Sequence, residues 1–260
     1  MSLPLRGRTA VVTGGATGIG LGIARRLLTD GARVLVGALH AEELERAYGE
    51  LRGYSTGADL AGHVGDLSRP GAGESLLRAA VDAFGGLDIL VNNAGGGVIR
   101  PTLEHTEQTL QATIDNNLWT VLRCTLAVLP HMVARGYGRV VNIGAESVRN
   151  GLVDHAVYNA AKGGVHAMTT GLAREFAAAG ITVNVVAPSY VRTPELDAGL
   201  RAGSLPDRLV YVVDRAVELI PMSRPGTVDD VAAAVAYLAR EDSGFVTGQV
   251  ISVNGGSSMG

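Results

Sequence analysis

The chain has 260 residues, of which 47% are apolar and 18% are charged, and 36 are glycines. This composition suits a buried parallel sheet with many tight turns, and it excludes a disordered or fibrous chain. The net charge of −3 comes from dispersed residues, so the sequence offers neither a basic stripe for nucleic acid nor a polybasic membrane patch, and we expect a small-molecule partner.

The N-terminus and the sparse cysteine content indicate the compartment. The apolar stretch at the N-terminus is too short for a signal peptide, and no apolar run approaches the length of a membrane span, so we expect a cytoplasmic protein. Cys124, the only cysteine, lies in an apolar run and is expected in the core, where it forms neither a disulfide nor a zinc site. Because the histidines never occur at the i, i+4 spacing of a helical metal pair, no metal is predicted.

Apolar runs of strand length alternate with longer segments of helical period along the chain. The predicted strand and helix pairs are 8–13 and 18–30, 32–38 and 41–52, 61–66 and 70–85, 87–93 and 105–135, 138–144 and 155–179, and 181–187 and 227–240, with a last strand near 249–253. Repeated βα units predict an α/β fold with a doubly wound parallel sheet, Rossmann-like, in a single domain over residues 1–260.

The proline-rich segment 189–226 breaks this alternation. It follows the carboxyl end of a predicted strand, which is where ligands bind in open α/β sheets. Long connections at such a place are usually functional. We therefore expect a substrate lid at about 189–226.

The first predicted strand runs directly into TGGATGIG, residues 13–20. In a dinucleotide loop of this kind Gly14 allows the tight turn, Gly18 lets the backbone approach a pyrophosphate, and Gly20 permits close packing of the helix on the strand. The N-terminus of the following helix faces the negative charge. An ordinary glycine-rich turn is the alternative, but the position between a strand and a helix favours dinucleotide binding.

The end of the second strand bears on the choice between NAD and NADP. An acid there would hold the ribose 2′-hydroxyl of NAD, but the position falls at Ala38, followed by Leu39 and His40. No arginine stands nearby, and the candidates for contact with a 2′-phosphate are His40 and, after it, Thr17. The balance is slightly in favour of NADP over NAD.

Lys162 is the only lysine among the 22 basic residues. A lysine has a compact ammonium group with an adjustable pKa, which a guanidinium cannot imitate. Lys162 follows Tyr158 by four residues, so both side chains share one face of a helix. A phenol with a pKa of about 10 needs a neighbouring cation to act as an acid or base at neutral pH. A surface Tyr–Lys pair is the alternative, but together with the glycine-rich loop the pair predicts acid–base catalysis.

Four segments together resemble the short-chain dehydrogenase/reductase family: TGGATGIG at 13–20, NNAG at 92–95, YNAAK at 158–162 and GFVTGQVISVNGG at 244–256. They occur in the family's order and at its separations over essentially the whole chain. The resemblance implies a Rossmann sheet, a tyrosine as catalytic acid/base, and a lysine that lowers the tyrosine pKa and holds the nicotinamide ribose. It also implies an asparagine that holds a water of a proton relay, and usually a homotetramer.

Carried over to this sequence, the resemblance makes Asn117 the relay asparagine, with Asn116 as its rival. Asp66 would face the adenine, and Thr193 would reach the pyrophosphate or carboxamide region. The alternative for Thr193 is a helix cap, and for Asn93 it is a turn-forming role. The full set of expected cofactor contacts is Gly14, Thr17, Gly18, Ile19, Gly20, Ala38, His40, Asp66, Leu67, Asn93, Ala94, Gly95, Tyr158, Lys162, Pro188, Val191 and Thr193.

The sequence departs from the family pattern at the substrate-activating serine. That serine stands 13 residues before the tyrosine, where this chain has Ala145, and the nearest hydroxyl is Ser147. Losing a donor at a developing alkoxide typically costs on the order of 10² in rate. Either Ser147 fills the role or activity depends on Tyr158 alone. We predict that the Ser147 hydroxyl lies about 2.6–3.2 Å from a point that the Tyr158 oxygen also reaches.

The predicted function is hydride transfer between NAD(P) and a secondary alcohol or ketone, with Tyr158, Lys162, Asn117 and Ser147 as the catalytic residues. NNAGGG and LPHMVARGYGRVVNI look like relatives that act on cis-dihydrodiols of aromatic acids, although the acid of their second strand is absent. The alternative is a cofactor-binding sensor or scaffold with impaired catalysis, which only Ala145 favours. The substrate pocket is expected to mix apolar and polar walls, from Gly96 to Ile99, Glu146, Ser147, Arg149, Asp154, His155, Tyr190 and 195–220.

Overall fold

A central parallel β-sheet organises the computed structural model, which describes residues 3–96 and 98–259. Two further short strands form a separate pair. The strands are β1 Thr9–Val12, β2 Arg33–Ala38, β3 Leu60–Val64, β4 Ile89–Asn92, β5 Gly138–Ile143, β6 Ile181–Pro188, β7 Val191–Arg192, β8 Gly226–Thr227 and β9 Val250–Val253. The sheet has seven strands in the order β3-β2-β1-β4-β5-β6-β9, and β7 pairs with β8.

Helices connect successive strands over both faces of the sheet. They are α1 Gly18–Thr29, α2 Ala41–Leu51, α3 Ala72–Phe84, α4 Glu107–Ile114, α5 Thr120–Arg135, α6 Ser147–Asn150, α7 Ala156–Phe176, α8 Pro194–Ala202, α9 Asp207–Glu218 and α10 Val228–Ala239. The predicted doubly wound parallel sheet is therefore confirmed. The helix predicted at 105–135 is instead α4 and α5, joined by a π-helical turn at Asp115–Trp119.

The central strands are buried on both faces, which explains why they read as largely apolar runs, whereas the edge strands β3 and β9 are only partly buried. Successive strand residues point to opposite faces. Val12 belongs to the apolar cluster that includes α1 and α10, whereas Val11 belongs to the cluster that includes α3 and α5. Cys124 is fully buried in the second cluster, as predicted, and burial raises the pKa of its thiol to about 12.

The strand order indicates where on the sheet a ligand would bind. The chain winds outward from β1 to β3 and then returns past β1 to β4, so the winding reverses between β1 and β4. Ligands in such sheets bind beyond the carboxyl ends of the strands at this reversal. Paired residues align those ends, with Val91 opposite both Val12 and Val141. The loops that follow β1, β4, β5 and β6 consequently converge.

The segment 189–226 contains β7, α8 and α9 and returns to the sheet through α10. It interrupts the βα alternation where the prolines of the sequence predicted a break. Within the described ranges no helix is long and apolar enough to cross a membrane. In the same ranges no cluster of three or more histidine, cysteine or carboxylate side chains could hold a metal ion.

Candidate active site

A cavity of about 540 Å³ opens at the carboxyl edge of the sheet, and a second of about 200 Å³ adjoins it. The larger one is lined by the loops after β1, β4, β5 and β6 and by α9, and the smaller one by the ends of β2 and β3. The two cavities share Gly14, Thr17, Ala94, Gly95 and Gly96. Because of these shared residues, the two cavities form one continuous cleft along the carboxyl edge of the sheet.

The glycines of the loop at 13–20 are required by close contacts. Gly14 has a φ of +58°, and a Cβ there would lie 2.9 Å from the Ala94 Cα. A Cβ on Gly20 would lie 2.0 Å from the Gly14 carbonyl oxygen, so helix α1 packs directly against the turn. A Cβ on Gly18 would meet only Thr193 and Glu195 side-chain atoms, at 3.5 Å and beyond. Of these three glycines, only Gly18 has no atom closer than 3.5 Å to the Cβ position, and it lines the larger cavity together with Gly14, Thr17 and Ile19.

Asn93 holds the glycine-rich loop in place. Its Nδ2 donates hydrogen bonds to the carbonyl oxygens of Thr13 and Gly14, at 3.1 and 3.0 Å. The Thr13 hydroxyl accepts hydrogen bonds from the backbone amides of Asn93 and Ala94, at 3.0 and 2.9 Å. The loops after β1 and β4 are thus locked together at the winding reversal.

The smaller cavity carries acidic side chains. Asp66 lines it, and hydrogen bonds from Ser68, together with the Arg69 guanidinium, lower the pKa of this carboxyl. Glu43, which the sequence analysis did not single out, also lines this cavity from the first turn of α2. His40, by contrast, is exposed as the N-cap of α2 and belongs to neither cavity lining. The sequence could have indicated Glu43, because it is an acidic residue in the first turn of the helix that follows β2.

Tyr158 and Lys162 stand near the start of α7 and both line the larger cavity. The Lys162 Nζ donates a hydrogen bond of 2.9 Å to the Ile143 carbonyl oxygen at the end of β5. It lies 5.8 Å from the centre of the Tyr158 ring. Lys162 is the only cationic side chain, and Glu146 the only carboxylate, among the described residues that line this cavity.

Burial dominates the protonation of both groups. It raises the pKa of Tyr158 to about 12 and lowers the pKa of Lys162 to about 8. At neutral pH the phenol therefore holds its proton and most of the lysine remains charged. Burial accounts for the raised pKa of Tyr158, and the lowering by Lys162 that the family resemblance implies stays a prediction.

Asn117 sits in the π-helical turn between α4 and α5 and is fully buried. Its Nδ2 donates to the carbonyl oxygens of Gly96 and Thr113, both at 2.9 Å. Its Oδ1 has no hydrogen-bond partner among the described residues. A Cβ on Gly95 would lie 2.8 Å from this Oδ1 and 3.5 Å from the Lys162 Nζ, so the two polar atoms converge. A π turn often marks a functional position, and helical periodicity alone did not reveal it.

Ala145 occupies the strand end and lines the larger cavity. Ser147 lines it too, but its hydroxyl donates to the Asn159 Oδ1 at 2.6 Å, and the Asn159 Nδ2 returns a bond to the Ser147 carbonyl oxygen at 2.8 Å. In this arrangement the Ser147 hydrogen is directed at the residue after Tyr158. A role for Ser147 toward substrate therefore requires its hydroxyl to rotate, and the predicted contact stays a prediction.

His166, also missed from the sequence, lies behind the strand end. A Cβ on Gly144 would be 2.2 Å from its Nε2, and the Ala145 backbone amide donates to that nitrogen at 3.4 Å. Burial, with the charges of Arg149 and Lys162, lowers the pKa of His166 to about 4. The imidazole is consequently neutral at physiological pH.

The lining of the larger cavity contains only part of the wall that was predicted for the substrate. Arg149, Asp154 and His155 do not line the cavity: Asp154 forms an ion pair of 2.6 Å with Arg208 of α9, and the His155 Nδ1 contacts the Val153 carbonyl oxygen. Arg149 bonds Ser252 instead. Gly97 lies outside the described residues. Asn150 and Leu152 were missed, and the segment 195–220 contributes Leu196, Leu209, Val212, Val213 and Ala216.

Most of the expected cofactor contacts lie along the cleft. Gly20 does not, because it is packed under the loop, and His40 is the other exception. The larger cavity contains Gly14, Thr17, Gly18, Ile19, Asn93, Ala94, Gly95, Tyr158, Lys162, Pro188, Val191 and Thr193, and the smaller contains Ala38, Asp66 and Leu67. The glycine cradle and the buried, unpartnered Asn117 oxygen fit a dinucleotide with its ribose near Lys162.

Comparison with known proteins gives a consistent result. A model of the short chain dehydrogenase family matches residues 8–202. This chain is 55% identical to 2,3-dihydroxy-2,3-dihydro-p-cumate dehydrogenase of Pseudomonas putida over 258 residues, which are 99% of this chain and 97% of that protein. This chain is also 38% identical to (2S)-[(R)-hydroxy(phenyl)methyl]succinyl-CoA dehydrogenase subunit BbsD of Thauera aromatica, over 98% of both chains. The solved structure of ElxO with NADP bound superposes with a TM-score of 0.88 at 29% identity, covering 96% of this chain and 98% of ElxO.

Proposed function

Because this chain belongs to the short-chain dehydrogenase family and is an oxidoreductase, we propose that it oxidises a cyclic cis-diol, with NAD(P) as the hydride acceptor. The observation that carries the substrate class is the 55% identity, across nearly the full length of both proteins, with a dehydrogenase of a ring dihydrodiol. The mixed lining of the larger cavity agrees, because Asn117, Asn150, Glu146 and Tyr190 bring polar groups among apolar side chains.

We propose that each part of the cofactor binds at a distinct place in the cleft. The pyrophosphate would lie at Gly18 and the N-terminus of α1, and Asp66 would face the adenosine. Lys162 and Tyr158 would hold the nicotinamide ribose. When bound, NAD(P) supplies the carbon that accepts the hydride.

In the proposed reaction, a C–H bond and an O–H bond of the alcohol are broken. The hydride leaves with the cofactor, and Tyr158 takes the hydroxyl proton, so its phenolate is the working form for oxidation. The Lys162 ammonium stabilises that phenolate, which burial otherwise disfavours. Asn117 presents its free Oδ1 beside Lys162, where it can hold the next proton carrier toward solvent. In ketone reduction the same phenol donates the proton.

The second donor to the substrate oxygen is the least conventional part of the site. Ala145 supplies no hydroxyl, and we assign this role to Ser147, which lines the same cavity. Ser147 would exchange its bond to Asn159 for one to substrate. Its contribution would be that of a preorganised donor at a developing charge.

Both coenzymes are proposed to bind, with a small preference for NADP. Ala38 leaves space for a 2′-phosphate, and Thr17 lines the same cavity. Glu43 and Asp66 oppose this preference, because each places a carboxylate in that cavity. Because these two effects oppose each other, we expect only a small difference in affinity between NADP and NAD.

A cytoplasmic homotetramer is the proposed form, by analogy with the family. One feature of the surface supports self-association: Trp119, Leu126 and Val133 recur every seven residues from the π turn through α5 and are all exposed. This spacing places them on one helix face. Apolar side chains in such a row are typical of an interface.

The proposed function is tested by mixing the purified protein with NAD+ or NADP+ and a cis-dihydrodiol of a ring carboxylic acid, and following the reduced nicotinamide. We expect turnover of the cis-diol, much slower turnover of the trans-diol, and none with the Tyr158→Phe variant. Equal turnover with Tyr158→Phe would contradict the assigned chemistry. Turnover of β-ketoacyl thioesters but of no diol would contradict the substrate class.

A further inference from the structure

Glu195 makes a contact that the proposed chemistry does not use. It lies in the first turn of α8, in the segment 189–226, yet its Oε1 accepts a hydrogen bond of 3.3 Å from the backbone amide of Gly18. The two residues are 177 positions apart in the sequence. No ion pair to Glu195 occurs among the described residues, whereas Asp197 on the same helix is paired with Arg192.

The Gly18 amide is the first of helix α1. The first amides of a helix have no partners within the helix and carry its positive dipole end. Helix α1 has no acidic residue in its first turn, and its N-cap, Thr17, makes no side-chain capping bond. The negative charge at the N-terminus of α1 is therefore supplied by Glu195 of α8. Thr193, which precedes Glu195, caps α8 through a bond from the Leu196 amide to its hydroxyl.

We propose that Glu195 competes with the cofactor pyrophosphate for the Gly18 amide and thereby sets the affinity of the dinucleotide site. The inference rests on the proposed function, since it requires a pyrophosphate at this loop. One N–H cannot serve a carboxylate and a phosphate oxygen at the same time, and the two anions repel each other at this distance. Dinucleotide binding therefore displaces Glu195.

The displacement has a consequence for the substrate side of the cleft. Helix α8 also supplies Leu196 to the lining of the larger cavity, and the chain continues from it to the cavity residues of α9. A carboxylate released from Gly18 frees the first turn of α8 from the phosphate loop. Cofactor binding and the position of this wall are thus coupled through one side chain.

The test is a titration of nicotinamide fluorescence with NADH and NADPH, using the wild type and the Glu195→Gln variant. Because an exposed charge at a helix N-terminus has only a modest effect on binding, we expect Glu195→Gln to bind both coenzymes about threefold to fivefold more tightly. The gain should shrink at high salt. Glu195→Asp keeps the charge but shortens the reach, and we expect an intermediate affinity.

Two controls separate local competition from general effects. Asp197→Asn removes the same charge from the same helix without touching Gly18, and we expect unchanged affinity. Calorimetric titrations of ADP and adenosine separate the phosphates from the base: Glu195→Gln should tighten ADP binding and leave adenosine binding unchanged. An equal gain with adenosine, or an equal gain in Asp197→Asn, would overturn the competition.

The outcomes distinguish this inference from the function on which it rests. If the wild type binds neither NADH nor NADPH, the proposed function fails, and the inference fails with it. If the wild type binds coenzyme and Glu195→Gln binds it equally or more weakly, only the role of Glu195 is refuted. Thermal unfolding of each variant shows whether an altered affinity reflects a lost fold.

Discussion

The Lys162→Arg substitution probes the proposed catalytic pair, Tyr158 and Lys162, without a change of net charge. Lys162 is buried, and its Nζ donates to the Ile143 carbonyl oxygen at 2.9 Å. The backbone of Gly95 is close by, since a Cβ on that residue would lie 3.5 Å from the Nζ. A guanidinium is larger and planar, so it cannot place its charge at the same point without displacing one of these groups.

The expected loss follows from the pKa values of the pair. Burial raises the pKa of Tyr158 to about 12, so without a well-placed cation its phenolate is rare at neutral pH. Positioned acid–base catalysis typically contributes about 10²–10⁴ in rate. We therefore expect kcat to fall by about 10² or more. Overpacking of this kind costs about 1–3 kcal/mol, which a domain of this size tolerates.

The assay is steady-state oxidation of a cis-diol from pH 6 to 10, with thermal unfolding measured in parallel. The Tyr158→Phe variant gives the background rate without the Tyr158 hydroxyl. Wild-type oxidation should rise with pH because the phenolate becomes more populated, until Lys162, whose pKa is about 8, loses its proton. Near-normal kcat in a folded Lys162→Arg protein would refute the requirement for a compact ammonium.

The other predictions concern the oxyanion donor, the coenzyme site and acid stability. Ser147→Ala should lower kcat by about 10²-fold if Ser147 is the donor, and Ala145→Ser added to that variant should rescue it; an unchanged kcat in Ser147→Ala refutes that role. Glu43→Gln should raise the NADPH/NADH ratio of kcat/KM about threefold, because it removes a carboxylate from the cavity; Ala38→Asp should lower that ratio, and an unchanged ratio in both refutes the placement of the 2′-phosphate. The His166 pKa falls from 6.5 to about 4 on folding, so the unfolded chain binds the extra proton and stability should drop as pH falls from 6.5 to 4; chemical denaturation of His166→Asn should show a shallower drop, and a parallel one contradicts the buried neutral imidazole.

The fold and the centre of the site were predictable because they depend on local patterns. A buried parallel strand must be apolar on both faces, and β1 and β4 are runs of this kind. Gly20 lies so close to the Gly14 carbonyl oxygen that no residue with a Cβ fits at position 20. The glycines of the sequence therefore predicted the loop. The four-residue spacing of Tyr158 and Lys162 fixed their shared helix face.

The remaining site residues depend on contacts between distant segments. Asp154 was expected in the substrate wall, but Arg208 of α9 takes its carboxylate, a pairing that no local pattern encodes. The π turn at Asn117 lies inside the segment 105–135, which the sequence pattern predicted as one uninterrupted helix. Glu195 and His166 gain their importance only from Gly18 and Gly144, which are remote in the sequence.

Following the transferred hydride is the most direct test of the proposed oxidation. A cis-diol of a ring carboxylic acid, carrying deuterium on its carbinol carbons, is incubated with the protein and either NAD+ or NADP+, and the coenzyme is weighed by mass spectrometry. We predict one deuterium transferred to the nicotinamide for each diol oxidised, with no transfer by Tyr158→Phe. Diol consumption without deuterium in the coenzyme, or no transfer from any cis-diol while coenzyme is bound, would contradict the proposed oxidation.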